Sequence, residues 1–324
     1  MTRVGLDIGG ANLKIAFSPD AIGLVPFELW KYPSRLRSQL KTLVPKNTQS
    51  LLVTMTGELC DCFSSKAAGV THILNSLPKI QGKTLIWSIR GEWMEMKTAL
   101  RNPLNAAASN WLALATFVGN ISPKGFALAI DIGSTTTDIT PLVNGVPAPH
   151  GLTDPQRLAS GELVYTGIYR TPLCAYSSKE FATEFFATMG DAHLILGHLE
   201  EAEGNCSTAD GRPFTLKNSF SRVARMKCAD HSQWSKEGIK DFCKTVVNRQ
   251  LEWIVAGIDK VVSRLGQKPK RIYLSGSGEK LARLALKKSP AASKAKIFSL
   301  AKEFSQDISH AACAYALLQI AREV

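Results

Sequence analysis

One short phrase occurs twice in this chain, as Val4-Gly5-Leu6-Asp7-Ile8-Gly9-Gly10 and as Leu128-Ala129-Ile130-Asp131-Ile132-Gly133-Ser134. The register holds past the glycines, where Asn12 aligns with Thr136 and Lys14 with Asp138. Each copy reads as an apolar strand, an aspartate, a glycine turn and a return strand, over 13–17 in the first and 139–143 in the second. A strand entering a tight glycine turn presents a row of backbone N–H groups, and glycine lets an anion come close to that backbone. A lone copy is compatible with a plain β-hairpin carrying a solvated aspartate. Two copies in register, each near the start of an α/β segment, imply two related halves facing each other across a cleft.

The 324 residues are enough for two domains of ordinary size, and 45% hydrophobic with 20% charged residues is a soluble globular composition. The longest apolar run, 111–118 with Thr116 inside it, is too short to span a bilayer. The first strand begins by about Arg3, which leaves no room for a signal peptide or for an N-terminal DNA-binding helix-turn-helix. Seven scattered cysteines, an odd number, suit a reducing cytoplasm.

Charge is unevenly spread. Residues 217–302 hold 20 Lys/Arg against 6 Asp/Glu, which exceeds the +12 of the whole chain. Such a segment can steer polyanions. No aromatic interleaving accompanies it, so helices with solvated lysine faces are the simpler reading.

The pattern along the chain is α/β throughout. Helices are expected over 34–43, 67–77, 105–118, 180–199, 236–265, 279–287 and 308–322, the last capped by Asp307. Strands are expected over 51–55, 84–87 and 271–274, the last entering Ser275-Gly276-Ser277-Gly278. Residues 119–125 read as a loop between an N-terminal lobe, 1–118, and a C-terminal lobe, 119–324. An irregular insert runs over about 146–232, with 146–178 punctuated by Pro and Gly and 205–213 a polar loop.

This order resembles the actin/sugar kinase/Hsp70 superfamily, which implies two ribonuclease H-like lobes around a central cleft. The resemblance rests on Asp7-Ile8-Gly9-Gly10 as first phosphate motif and Asp131-Ile132-Gly133-Ser134-Thr135-Thr136 as second. Gly276, Ser277 and Gly278 would form the adenosine-side turn, and 105–118 the connecting helix. Longer phrases narrow the family. They are 4–14, then Met55-Thr56-Gly57-Glu58-Leu59-Cys60-Asp61-Cys62-Phe63, and Gly161-Glu162-Leu163-Val164-Tyr165-Thr166-Gly167 with Arg170-Thr171-Pro172. Phe181-Ala182-Thr183 with Thr188 and Asp191, and Thr208-Ala209-Asp210-Gly211-Arg212-Pro213, complete the set. Together they resemble the hydantoinase/oxoprolinase-like proteins of tetrahydromethanopterin-linked C1 transfer, whose archaeal members look like the synthase family of methanofuran assembly.

That resemblance implies an alkyl transfer in which the phenol oxygen of γ-glutamyltyramine displaces pyrophosphate from an aminomethyl-furanmethyl pyrophosphate. Mg²⁺ between Asp7 and Asp131 would neutralise the leaving group. The turn residues Gly9, Gly10, Asn12, Gly133, Ser134, Thr135 and Thr136 would hold its oxygens, with Lys14 as an added cation. The phenol, with an ordinary pKa near 10, needs a proton acceptor. Asp138, Glu58 and Asp191 are the candidates. Glu162, Tyr165 and Arg170 lie where loops select substrates, or else hold their own loop together.

The alternative is an ATP-using kinase or an oxoprolinase-type hydrolase. Sugar kinases of the superfamily place an aspartate at or near the connecting helix, whereas 105–118 holds no carboxylate and Asn110 cannot serve as a base. The serine-interrupted glycine turn at 275–278 leaves adenine binding open, and association between copies of the chain is open as well. Three other constellations favour plainer roles. Cys60-Asp61-Cys62 lacks a partner pair at zinc spacing. His193 and His198 do not share a helix face. The Arg222/Arg225/Lys227 cluster reads as a solvated helix face before it reads as a site for an acidic substrate tail.

Overall fold

The computed structural model describes residues 2–18 and 21–321. The first lobe contains β1 (Arg3–Ile8), β2 (Asn12–Ser18), β3 (Ala21–Pro26), β4 (Ser50–Met55), β5 (Lys83–Trp87) and β6 (Trp93–Glu95). They form one sheet in the order β3-β2-β1-β4-β5-β6. β1, β2 and β3 run as an antiparallel meander, and β4 and β5 continue parallel to β1. Helices α1 (Leu36–Leu43), α2 (Lys66–Ser76) and α3 (Met96–Arg101) belong to this lobe, and α4 (Asn110–Ile121) leads out of it.

The second lobe repeats the plan. Strands β7 (Phe126–Ile132), β8 (Thr137–Val143), β9 (Val146–Pro147), β10 (Leu163–Val164), β11 (Arg271–Ser275) and β12 (Lys296–Ser299) give the order β10-β8-β7-β11-β12, with β9 also on β8. β7 pairs antiparallel with β8 and parallel with β11, as β1 does with β2 and β4. This meander followed by parallel strands is the ribonuclease H-like order, present twice, as expected. Its helices are α5 (Asp154–Ser160), α6 (Met189–Ile195), α7 (Leu216–Arg225), α8 (Lys236–Arg264), α9 (Glu279–Lys288), α10 (Leu300–Glu303), α11 (Gln306–His310) and α12 (Ala312–Ile320).

α4 and α12 pack against each other and share one core with residues of both sheets, including Ala16, Leu52, Ala129, Leu142 and Tyr273. Such helices must be apolar all round rather than amphipathic. Phe117 and Leu317 are buried accordingly, each worth about 1.5–3 kcal/mol of transfer free energy. Gly5 allows the close approach, because a Cβ there would fall 2.2 Å from the Ala314 carbonyl oxygen. Among the described residues no helix is long and apolar enough to cross a membrane.

Several expected boundaries move. The helix expected over 105–118 splits into a 3₁₀ turn, Pro103–Ala106, and α4, because Ala108 takes a left-handed φ of 48° between them. α4 then runs to Ile121, beyond the lobe boundary placed at 118. The helix expected over 180–199 shrinks to α6, which starts at the capping box of Thr188 with Asp191. The final helix is two pieces, broken at Ala311, and Ser305 caps the first through its bond from the Ile308 N–H instead of Asp307. Arg322, its expected end, lies outside the described residues.

Candidate active site

The two repeated turns are built alike. The Gly9 N–H donates to the Asn12 carbonyl at 3.0 Å, and the Gly133 N–H donates to the Thr136 carbonyl at 2.9 Å. Just behind each turn, the strand parallel to the first gives way to a loop bonded to the same point. The Ile8 carbonyl accepts from Thr56 and Gly57, and the Ile132 carbonyl accepts from Gly278. Carbonyls of both turns are consumed by their own lobe. Gly10 and Ala11 accept from Leu29 and Phe27, while Gly133 and Ser134 accept from Ile168, Tyr169 and Arg170. Spending the acceptors inside the lobe is what an anion cradle requires.

Both turns line one cavity of about 620 Å³ between the lobes. Of the expected site residues it brings together Asp7, Gly9, Gly10, Asn12, Lys14, Glu58, Asp131, Gly133, Ser134, Thr135, Thr136, Asp138, Tyr165 and Arg170. The Lys14 ammonium lies 3.5 Å from Asp7. Burial alone would lower its pKa, but Asp7 and Asp131 outweigh that and keep it firmly protonated. Burial raises Asp7 and Asp131 above the usual carboxylate range despite Lys14, and for Asp131 despite a 2.5 Å bond from Ser275 Oγ. Asp138 is also raised by burial, against the pull of Arg157, which meets it at 2.7 Å.

Five expected residues lie outside the cavity lining. Glu162 is fully buried, accepting from the His150 and Gly151 N–H groups and Ser160 Oγ and pairing with Arg264. It holds the loop after β8 and has no lone pair to spare for substrate. Asp191 is likewise spent on the Thr188 N–H, Ser219 Oγ and Arg222. That also corrects the reading of Arg222 as solvated, since it is buried and bridges Asp191 to Asp210. The Gly276-Ser277-Gly278 turn packs behind β7 instead of into the cavity. A Cβ on Gly276, whose φ is +86°, would fall 2.3 Å from the Ile132 carbonyl oxygen.

Arg157, Asp154 and Trp30 also line the cavity, and nothing in the sequence singled them out. Arg157 is buried, donates to Asp138 and the Glu162 carbonyl, and lies 3.9 Å over the Trp111 ring. Asp154, from the second lobe, meets Lys66 of the first at 2.6 Å, and Lys66 also lies 3.5 Å from Glu58. Arg170 stacks on Trp30 at 4.3 Å, a second contact between the lobes. Each joins residues far apart in the chain, and only folding reveals them. Cys60 lines the cavity, but its thiol is pushed up to about 11 by burial and by Cys62 and Asp61, so it is protonated at neutral pH. His193 and His198 share a 2.9 Å ring-nitrogen bond away from the cavity.

Among the described residues no group of three His, Cys, Asp or Glu side chains is placed to hold a metal ion. Asp7 Oδ1 is nevertheless buried without a hydrogen-bond partner. Two aspartates that leave room for phosphate oxygens and water suit Mg²⁺, which usually keeps several waters.

The hydantoinase/oxoprolinase family model matches residues 51–306. The (4-{4-[2-(γ-L-glutamylamino)ethyl]phenoxymethyl}furan-2-yl)methanamine synthase of Methanocaldococcus jannaschii is 31% identical, over 98% of this chain and 96% of its own. The protein of that name from Methanococcus vannielii is 32% identical, over 60% of this chain and 90% of its own. In fold, a nucleotide-free acetone carboxylase structure is similar with a TM-score of 0.58 at 9% identity, over 97% of this chain and 70% of that one. The chain belongs to the hydantoinase/oxoprolinase family, with the furan-2-yl-methanamine synthases among its relatives.

Proposed function

We propose that this cleft joins an aminomethyl-furanmethyl pyrophosphate to the phenol oxygen of γ-glutamyltyramine, releasing pyrophosphate and forming the ether that the relatives' name describes. The near full-length similarity to the Methanocaldococcus jannaschii synthase carries the reading. The geometry is consistent with it. Two anion cradles open into one cavity, and Lys14, Arg157 and Arg170 add cations to its lining. Departure of pyrophosphate is the demanding step, because negative charge grows on the bridging oxygen as the bond to carbon breaks. Donors already fixed in place stabilise that charge without reorganising. In this reading Gly10, Asn12 and Ser134 to Thr136 bind the phosphate oxygens, Gly9 and Gly133, whose N–H groups close the turns, leave the backbone open to their approach, and Lys14 balances their charge. Asp7 and Asp131 would hold Mg²⁺, which would supply further neutralisation of the leaving group. A reducing cytoplasm suits the seven free cysteines.

The test is pyrophosphate release by the purified protein with both substrates and Mg²⁺, with and without ATP, and with a chelator. Ether and pyrophosphate formed without ATP, and lost on chelation, are expected. ATP hydrolysis dependent on an acceptor, with no ether, would replace the reading with a kinase or oxoprolinase-type activity.

A further inference from the structure

We propose that Glu58 is the group that takes the phenol proton, through its Oε2 atom. The inference rests on the transferase reading above and selects among the three carboxylates considered for that task. Asp191 is outside the cavity with its oxygens committed, and Asp138 is held at 2.7 Å by the buried Arg157, a tighter pair than the 3.5 Å between Glu58 and Lys66. Glu58 lines the cavity and is buried, with Oε1 3.5 Å from Lys66 and Oε2 lacking any hydrogen-bond partner. A buried carboxylate oxygen without a donor is costly, so a vacant acceptor on a residue that lines the cavity points to a ligand proton.

The position has a structural origin. Glu58 lies on the loop after β4, and Gly57 packs against the backbone of Gly9. The acceptor is thereby fixed to the first phosphate turn. The charged and titratable groups around it are Lys66 on α2, Asp154 on α5, and Cys60, Asp61, Tyr165 and Arg170 along the cavity wall. Lys66 lies between Glu58 and Asp154, so the carboxylate sits beside a contact between the two lobes. Burial, offset in part by Lys66, pushes Glu58 up to about 7. That is far better matched to a phenol than an ordinary glutamate.

In the step, the phenol O–H bond breaks and its proton passes to Glu58 Oε2. The oxygen lone pair forms the new bond to the furanmethyl carbon. The carbon–oxygen bond to pyrophosphate breaks, and its electron pair leaves with pyrophosphate. Glu58 then returns the proton to solvent.

The experiment compares wild type, Glu58→Gln and Lys66→Met by pyrophosphate release across pH 5–9, with γ-glutamyltyramine and with a ring-fluorinated analogue whose phenol is more acidic. Wild type is expected to lose kcat/KM on an acidic limb. Glu58→Gln should lose ~10²–10⁴-fold in kcat with KM little changed. The fluorinated acceptor, able to ionise unaided, should recover much of that loss. Lys66→Met should move the acidic limb to higher pH, because it removes the cation that favours the carboxylate. Glu58→Gln within about threefold of wild type, or crippled equally with both acceptors, overturns the proposal. If that variant does not fold, an unmoved limb in Lys66→Met overturns it. Wild type that makes no ether overturns the transferase reading itself.

Discussion

The two repeated hairpins have one backbone and two charge schemes. In the first, Lys14 stands opposite Asp7 in the strand register, so cation and carboxylate compensate within the hairpin. In the second, Asp138 stands opposite Asp131, two carboxylates side by side. Their compensation is imported, with Arg157 from α5 on Asp138, and with Lys14 of the first hairpin and Ser275 from the end of β11 on Asp131. The repeat thus preserves what the turn geometry needs and frees the opposing position. The first hairpin works with local chemistry, whereas the second depends on α5 and β11 being in place.

The largest expected effect tests whether the halves are equal partners. Asp7→Asn and Asp131→Asn should each lower kcat for pyrophosphate release by ~10²–10³-fold while thermal unfolding stays cooperative. Full activity in either variant would show that only one hairpin holds the leaving group. Ser275→Ala, which removes only a support of Asp131, should fall between those variants and wild type.

Imported compensation should be the more fragile kind. Arg157→Met leaves Asp138 buried without its cation beside a second carboxylate, and should cost about 3–5 kcal/mol by denaturant unfolding. Lys14→Met also leaves a buried carboxylate, Asp7, but removes a longer contact, 3.5 Å against 2.7 Å, so the loss should be smaller, roughly 1–2 kcal/mol. Equal losses would mean that the Arg157 stack on Trp111 or the Lys14 stem matters more than charge.

Hairpins are legible in sequence because every element of the motif is local. Asp7, the glycines and Lys14 are read off seven or eight adjacent residues, and the lobes follow from the repetition. Burial is not local. Glu162 and Asp191 resemble substrate ligands by type and phrase, and only the packed chain shows their oxygens consumed by backbone N–H groups and arginines. Arg157 is the converse, since a single Arg beside Gln156 and Leu158 gives no hint of a partner across the sheet at Asp138. The 180–199 helix failed for a related reason. Its apolar residues suit a helix, yet the 181–187 backbone bonds to other segments, as Ala182 does to the Met226 carbonyl.

Activity should trade against stability at Glu58. Its pKa of about 7 in the fold, against an ordinary 4.5, means that the folded protein binds the extra proton. Stability attributable to this group is therefore complete below pH 4.5 and lost as pH rises through 7. Glu58→Gln should be more stable than wild type above pH 7, by about 1–3 kcal/mol, with the gap closing in acid. Buried His193, held down to about 4 chiefly by burial, pushes the opposite way in both proteins and cancels in the comparison. A gap that does not change with pH would show that Glu58 is already ionised without penalty.

The smallest effect concerns the turns themselves. A Cβ on Gly133 would meet the Thr136 carbonyl oxygen at an ordinary 3.8 Å, whereas one on Gly9 would meet the Asn12 carbonyl oxygen at 3.0 Å. Gly133→Ala should thus change stability by less than about 0.5 kcal/mol, and Gly9→Ala should cost roughly 1 kcal/mol. If glycine is needed only for the turn, the second hairpin should tolerate alanine in activity as well. If it is needed for the approach of a phosphate, Gly133→Ala should raise KM for the pyrophosphate substrate while leaving the unfolding midpoint in place. That split between affinity and stability would assign the Gly133 surface to the ligand, because nothing in the fold itself competes for the space.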